Sequence, residues 1–212
     1  MLPELATFDG DKLEPRRDYD AIDFVDCDFT GQDASDARFV ECRLQRCAVD
    51  GLVLRRSRIL GSVLDAIHGA SVDFSDTTWR DSRVSGGRLG AVNLPGATLT
   101  TIRFVGSKLG FLNLAGAQFE DVVFEGCEID GLDARGAKLR SVSFVDCSVN
   151  ELNVTEAALS KVDLSGARLR SLIGVDNLRG VTINHGQLMD LAPQLAAQLG
   201  IEIRPDEPGT DA

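Results

Sequence analysis

The apolar residues of this chain recur every five positions, a period that neither an amphipathic helix nor an alternating strand produces. Counting by fives from Phe24 gives Phe29, Ala34, Phe39 and Leu44, and the series runs on to Leu169. Of its 30 members, 29 are apolar side chains and the other is Gly69. Eight of the ten Phe and the only Trp, Trp79, fall in this register, which marks it as the interior. The residue two before each centre is small or aliphatic, as at Cys27, Ala37, Cys42, Ala97, Ala117 and Val122. Two inward positions in every five, separated by outward ones, describe a chain that turns a corner every five residues.

A second period fixes the number of sides. Every twentieth residue of the small slot reads Ala37, Ser57, Thr77, Ala97, Ala117, Ala137 and Ala157. A neighbouring column reads Leu52, Val72, Val92, Leu112, Leu132 and Leu152, all branched. Like residues returning at twenty mean four pentapeptides to a coil, with coils stacked about 4.8 Å apart and paired as parallel strands. From Ile22 to Ser171 this predicts about 7–8 coils, a rod of roughly 36 Å. Eleven of the 21 Gly, Gly31, Gly96, Gly131 and Gly166 among them, fall two residues after a centre, where corners require positive φ or a crowded backbone.

The segments Ala97-Thr98-Leu99-Thr100-Thr101, Ala117-Gln118-Phe119-Glu120-Asp121 and Val162-Asp163-Leu164-Ser165-Gly166 resemble the A-(D/N)-L-x-x motif of the pentapeptide-repeat family. The resemblance implies an all-β fold, a right-handed quadrilateral parallel β-helix, whose handedness comes from the family alone. Loops that interrupt some members have no counterpart in this unbroken run. The family's best-known activity, which the resemblance brings with it, is binding DNA gyrase, a type II topoisomerase, as a mimic of duplex DNA, either inhibiting it or protecting it from fluoroquinolones.

An open stack exposes unpaired backbone and apolar interior at its ends, so caps are expected. Residues 1–21 are read as an N-terminal cap, with Leu2, Leu5, Phe8 and Leu13 available to cover the first coil. Residues 22–175 form the solenoid, and 176–204 a C-terminal cap. In that cap Val181-Thr182-Ile183 reads as a last strand, and Asn184 as the N-cap of a helix from about His185 to Leu199, closed by Gly200. Pro193 inside it predicts a kink or two short helices. Leu188, Leu191, Leu195 and Leu199 form an apolar stripe over the solenoid end. In related family members this element joins two copies end to end, so the resemblance also implies a homodimer. The polar segment 205–212 is expected to be disordered.

Composition narrows the chemistry. No apolar run approaches membrane-spanning length, and the first residues lack the basic start and apolar run of a secretory signal. Five Cys without C-x-x-C spacing suggest neither a disulfide framework nor a zinc site, and a cytoplasmic setting is expected. Cys27 and Cys47 stack at twenty, as do Cys127 and Cys147, and packing as small hydrophobes is their simplest role. His68 and His185 have no partner constellation, and no phosphate-cradling Gly motif occurs. No catalytic residue, metal or cofactor is therefore expected, and the chain is not read as an enzyme.

The net charge of −11 argues against direct nucleic-acid binding and at first favours duplex mimicry. Partition weakens the second point. Residues 1–21 carry −3 and residues 172–212 carry −4, which leaves −4 on the solenoid. Duplex DNA would present roughly 21 charges over the same length. The candidate mimic acids are Glu120, Asp121, Glu125, Glu128 and Asp130 on one coil, with Asp73 and Asp76 on another. Residues 82–119 contain no acid and carry Arg83, Arg88, Arg103 and Lys108, a basic waist beside Phe111, which occupies a corner slot and is expected to be exposed. The sequence thus predicts a macromolecule-binding scaffold with a protein partner; the alternative is a DNA mimic directed at a type II topoisomerase.

Overall fold

The computed structural model describes residues 2–203. Of the 30 centres, 27 are buried, and Gly69, Leu159 and Leu169 are half-buried. Successive coils pair in parallel at an offset of twenty: Trp79 lies opposite Ile59 and Leu99, and Phe104 opposite Val84 and Phe124. The result is an all-parallel β solenoid of about nine turns with one C-terminal helix. Its four sides are named here by their interior columns: side one runs through Phe39, Trp79 and Phe119, side two through Phe24, Phe104 and Phe144, side three through Val49, Leu109 and Val149, and side four through Leu54, Leu94 and Val154. A 14-stranded sheet covers sides one and two, its longer strands, such as Thr78–Ser85, rounding the corner between them. A seven-stranded sheet covers side three and runs through the next corner, as in Lys108–Asn113.

Stacking at twenty places like on like. The rings of Phe104, Phe124 and Phe144 lie 4.7 and 4.8 Å apart and within 7° of parallel. The corners explain the recurring slot two residues after a centre, since nine Gly and 14 other residues there adopt positive φ. One corner differs. From Ser71 onward the corner after side three lies inside continuous strands, and Ala91, Phe111, Gly131 and Glu151 there are not left-handed. A bulky side chain is therefore tolerated at 111, and Gly131 is buried with the Phe111 ring against it.

The turn count exceeds the predicted 7–8 because both flanks also pair. Ala6–Thr7 adds to Ile22–Asp23 at an offset of sixteen, Asp18–Asp20 to Arg38–Val40, and Val181–Thr182 to Val162–Asp163. Leu13 is buried, and Phe8 closes the first coil, its ring 4.7 Å from that of Phe24. At the other end the helix spans His185–Gln198 with Asn184 as N-cap and a capping box to Gln187. It runs as one helix through Pro193 and is not divided into two short ones. The carbonyl that Pro193 leaves without its helical donor belongs to the exposed Met189, where water can serve it. The leucine stripe divides: Leu191 is buried and Leu195 packs on the core, whereas Leu188 and Leu199 are 44% and 76% exposed. Gln187 does the work that the stripe was expected to do alone. Its Nε2 donates to the carbonyls of Leu164 and Ala167 at 2.8 and 2.7 Å, and Asn184 Nδ2 donates to Ser165 O at 2.8 Å. The segment 205–212 lies outside the described residues, as does residue 204. No helix among the described residues is long and apolar enough to cross a membrane.

Candidate interaction surface

With the interior filled by side chains, chemistry is confined to the outer positions and the ends. Four of the five Cys are buried and all five are free thiols. Burial pushes the Cys47 thiol up to about 11, the direction of an unreactive group. His68 is exposed on side three and His185 begins the terminal helix. A hollow of about 490 Å³ lies under the N-terminal arm, bordered by Asp9, Asp11, Lys12 and Arg17. No group of three or more metal-binding side chains occurs among the described residues.

The candidate mimic acids do not line up. Glu120 lies on side one, Asp121 at the following corner, Glu125 on side two, and Glu128 with Asp130 on side three, so they form a girdle rather than a stripe along the rod. Most are also engaged. Glu120 pairs with Arg140, Glu125 with Arg103 at 3.6 Å, and Glu128 with Lys108 at 2.7 Å, while Asp130 accepts from Asn150 Nδ2 at 3.0 Å. Asp73 serves the fold: its carboxylate accepts from Ser75 N at 2.9 Å and from Arg55 Nε at 2.7 Å. Burial raises its pKa, but Ser75 and Arg55 outweigh burial and hold it below the usual carboxylate range. Its column repeats the device, with Asp33, Asn113, Asp133 and Asn153 each accepting the backbone N–H two residues on.

Ladders of opposite charge at twenty tie the coils together, Asp23 to Arg43, Asp26 to Arg46 and Asp36 to Arg56. They were legible as acid–base pairs at that spacing but are easily overlooked in a count of net charge. Much of the solenoid's acidity is thereby neutralised locally.

The basic waist is partly gathered. Arg88 stands beside Lys108, and Phe111 opposite Ala91, all on side three or its straight corner. Arg83 and Arg103 stack on side two, around the corner formed by Gly86 and Gly106. Phe111 is 43% exposed. Beside the Arg88–Lys108 ridge lies a feature absent from the sequence reading: Gly90 and Gly110 floor a trough of about 330 Å³, bordered also by Glu128 and Asp130. Neither glycine has positive φ, but a Cβ on either would sit 2.4 Å from the carbonyl oxygen of the rung before it. Close approach between coils, not turn geometry, keeps side chains off that floor.

A model of pentapeptide repeats in eight copies matches residues 22–59, and a pentapeptide-repeat-region model matches residues 97–173. The chain belongs to the pentapeptide-repeat family. Comparison with curated proteins returned no match. Among solved structures, HetL, a pentapeptide-repeat protein involved in heterocyst differentiation regulation in Nostoc sp. Strain PCC 7120, is 18% identical with a TM-score of 0.33, over 81% of this chain and 91% of HetL. A trypsin-treated form of QnrB1, a plasmid-mediated fluoroquinolone resistance protein, is 18% identical with a TM-score of 0.32, over 92% and 95% of the two chains. Rfr23 from Cyanothece 51142 is 12% identical with a TM-score of 0.18, over 74% and 88%. The outer residues of this pentapeptide-repeat protein are not fixed by the repeat, so membership of the family does not determine what the outside binds.

Proposed function

We propose that this pentapeptide-repeat protein is a non-enzymatic, cytoplasmic scaffold that binds a protein partner through the waist on side three. The observation that carries the reading is the exposed Phe111 at the straight corner of the side that also carries Arg88, an arginine with no ion-pair partner among the described residues. Aromatic and Arg side chains are the types that anchor protein interfaces. The five free thiols suit a reducing compartment. Placing a photo-crosslinking residue at Phe111, and separately at Arg38 on side one, tests the surface in cells. Adducts with a defined protein from position 111 and not from 38 are expected; equal labelling from both positions would remove the assignment.

A DNA mimic acting on a type II topoisomerase is the second reading. It is supported by Asp76 and Asp121, which have no ion-pair partner among the described residues. A gyrase supercoiling assay with and without a quinolone decides it, and neither inhibition nor protection would end it. We further propose a homodimer through the C-terminal element, supported by the exposed Leu188, Met189, Leu199, Ile201 and Ile203. Light scattering should give a mass that rises with concentration and returns to the monomer value in a Leu188→Asp/Leu199→Asp double variant; a constant monomer mass would dismiss the dimer.

A further inference from the structure

We infer that Cys27 and Cys47 form an oxidation site, in which Cys27 takes a hydroperoxide and Cys47 then closes a disulfide that ties the first coil to the second. The site is separate from the surface on side three and does not depend on it. Four of the five Cys share one interior column, Cys27 with Cys47 at its start and Cys127 with Cys147 further along. Cys42 stands in another column, where its neighbours at twenty are Ile22 and Ser62. Cys27 and Cys47 occupy adjacent rungs, joined by the bond from Ala48 N to Cys27 O at 2.9 Å. Rungs about 4.8 Å apart lie within the Cα separation that a disulfide spans. Both sulfurs already lie against the first coil: Cys47 Sγ is 3.4 Å from Phe24 O, and Cys27 Sγ is 3.5 Å from Val25 O, the next carbonyl along. Each thiol also perturbs the ionisation of the other.

Access separates the two stacked pairs. Cys27 is the one thiol of the five that is not buried. The N-terminal strand pairs only with Ile22–Asp23, and Asp28 bridges to Ala48 alone, so among the described residues no rung lies ahead of Cys27 in its column. Cys127 and Cys147 are both buried, with further rungs on either side. The Cys27 thiolate attacks one oxygen of the hydroperoxide; the O–O bond breaks, the departing oxyanion takes up a proton, and Cys27 becomes a sulfenic acid. The Cys47 thiolate then attacks Cys27 Sγ; the S–S bond forms, the S–O bond breaks, and the hydroxide that leaves is protonated to water. Two thiols are oxidised and one peroxide is reduced, which with hydrogen peroxide yields two waters. Both steps use thiolates. Burial holds both thiols above their ordinary range, Cys47 at about 11, so the reaction is slow at neutral pH and quickens as pH rises.

The test treats the folded full chain with hydrogen peroxide, alkylates the remaining thiols under denaturing conditions, and maps tryptic peptides by mass spectrometry. Cleavage after Lys and Arg puts Cys27 in peptide 18–38, Cys42 in 39–43 and Cys47 in 47–55, so each thiol is read separately. Peptides 18–38 and 47–55 should appear joined and lighter by two hydrogens, with Cys127 and Cys147 still alkylated. The rate should rise by about tenfold from pH 7 to pH 8, as the thiolate fraction does below the thiol pKa. Cys47→Ser should leave Cys27 as a sulfenic acid that dimedone traps, and Cys27→Ser should leave Cys47 a free thiol. Ser107 is buried in this same column, so both variants should fold, and thermal melts check that they do. Recovery of Cys27 and Cys47 as free thiols, a dimedone adduct at Cys27 in the unaltered chain that never proceeds to the disulfide, joining of Cys127 to Cys147 at an equal rate in the folded chain, or a bond between two chains through Cys27 would each overturn the inference.

Discussion

Phe124 lies between Phe104 and Phe144, each ring flat on the next, so a change at one centre is felt by the rungs on both sides. Phe124→Ala should lower stability by about 3–5 kcal/mol, read from urea denaturation, because a rigid stack cannot collapse into the space left. Arg103 sits one residue before Phe104 but points outward, and its contact with Glu125 at 3.6 Å is solvent-exposed. Arg103→Asp should therefore cost less than about 1 kcal/mol, whereas Phe104→Asp buries an unpaired charge and should prevent the solenoid from forming at that coil. Equal melting shifts for the two Asp variants would refute the inward register. Acid sensitivity also originates in single residues. Asp23 is held below the usual carboxylate range first by its hydrogen bond from Arg43, and Asp133 likewise by Arg135. Their folded pKa values are depressed, so the stability they contribute is complete above the ordinary carboxylate value of about 3.9 and is lost as pH falls through the lower folded value. A series of urea midpoints measured at falling pH should decline over that window, and Asp23→Asn should make the decline shallower.

At the scale of the corner and the rung, the same glycine slot serves two conformations. Gly116 has φ +66 with open space around it, so Gly116→Ala should cost about 1 kcal/mol from backbone strain alone. Gly131 sits on the straight corner; its Cβ would meet only the Phe111 ring, at 2.9 Å, and that exposed ring can swing aside. Gly131→Ala should be close to neutral, and a comparable loss at both sites would contradict the difference between the corners. The sequence marks both glycines identically, which is why the straight corner was not legible. What distinguishes it is the backbone path, and Phe111 is the residue that betrays it. The interior register was legible because each centre is chosen by burial alone. Gln187 was not, because a buried polar side chain that satisfies carbonyls of a coil twenty residues earlier has no signature in its own neighbourhood. The trough at Gly90 and Gly110 escaped for a similar reason, since only the spacing between coils shows why no side chain fits.

Over the whole molecule, each coil touches only its neighbours, so stability is a sum of local terms with weak ends. Hydrogen exchange should be slowest in the central coils around Leu94–Phe144 and fastest near Ala6–Thr7 and in the terminal helix; uniform protection would indicate a single cooperative unit instead. The total charge of −11 was a poor guide at this scale, because pairs such as Asp36 with Arg56 cancel within the stack and the remainder sits largely in the flanks. The offset of twenty has one more outcome, which concerns how such a gene can change length. Excising twenty residues from the middle would shorten the rod and leave its sides aligned. Excising five would keep every inward residue inward yet swing everything downstream through a quarter revolution, carrying Phe111 out of line with whatever the far end displays. Length changes in this chain thus act as a dial, on which an indel of five re-aims surfaces and keeps inward residues inward, while exchanging which centres stack at the junction, so that Phe124 would no longer lie on Phe104.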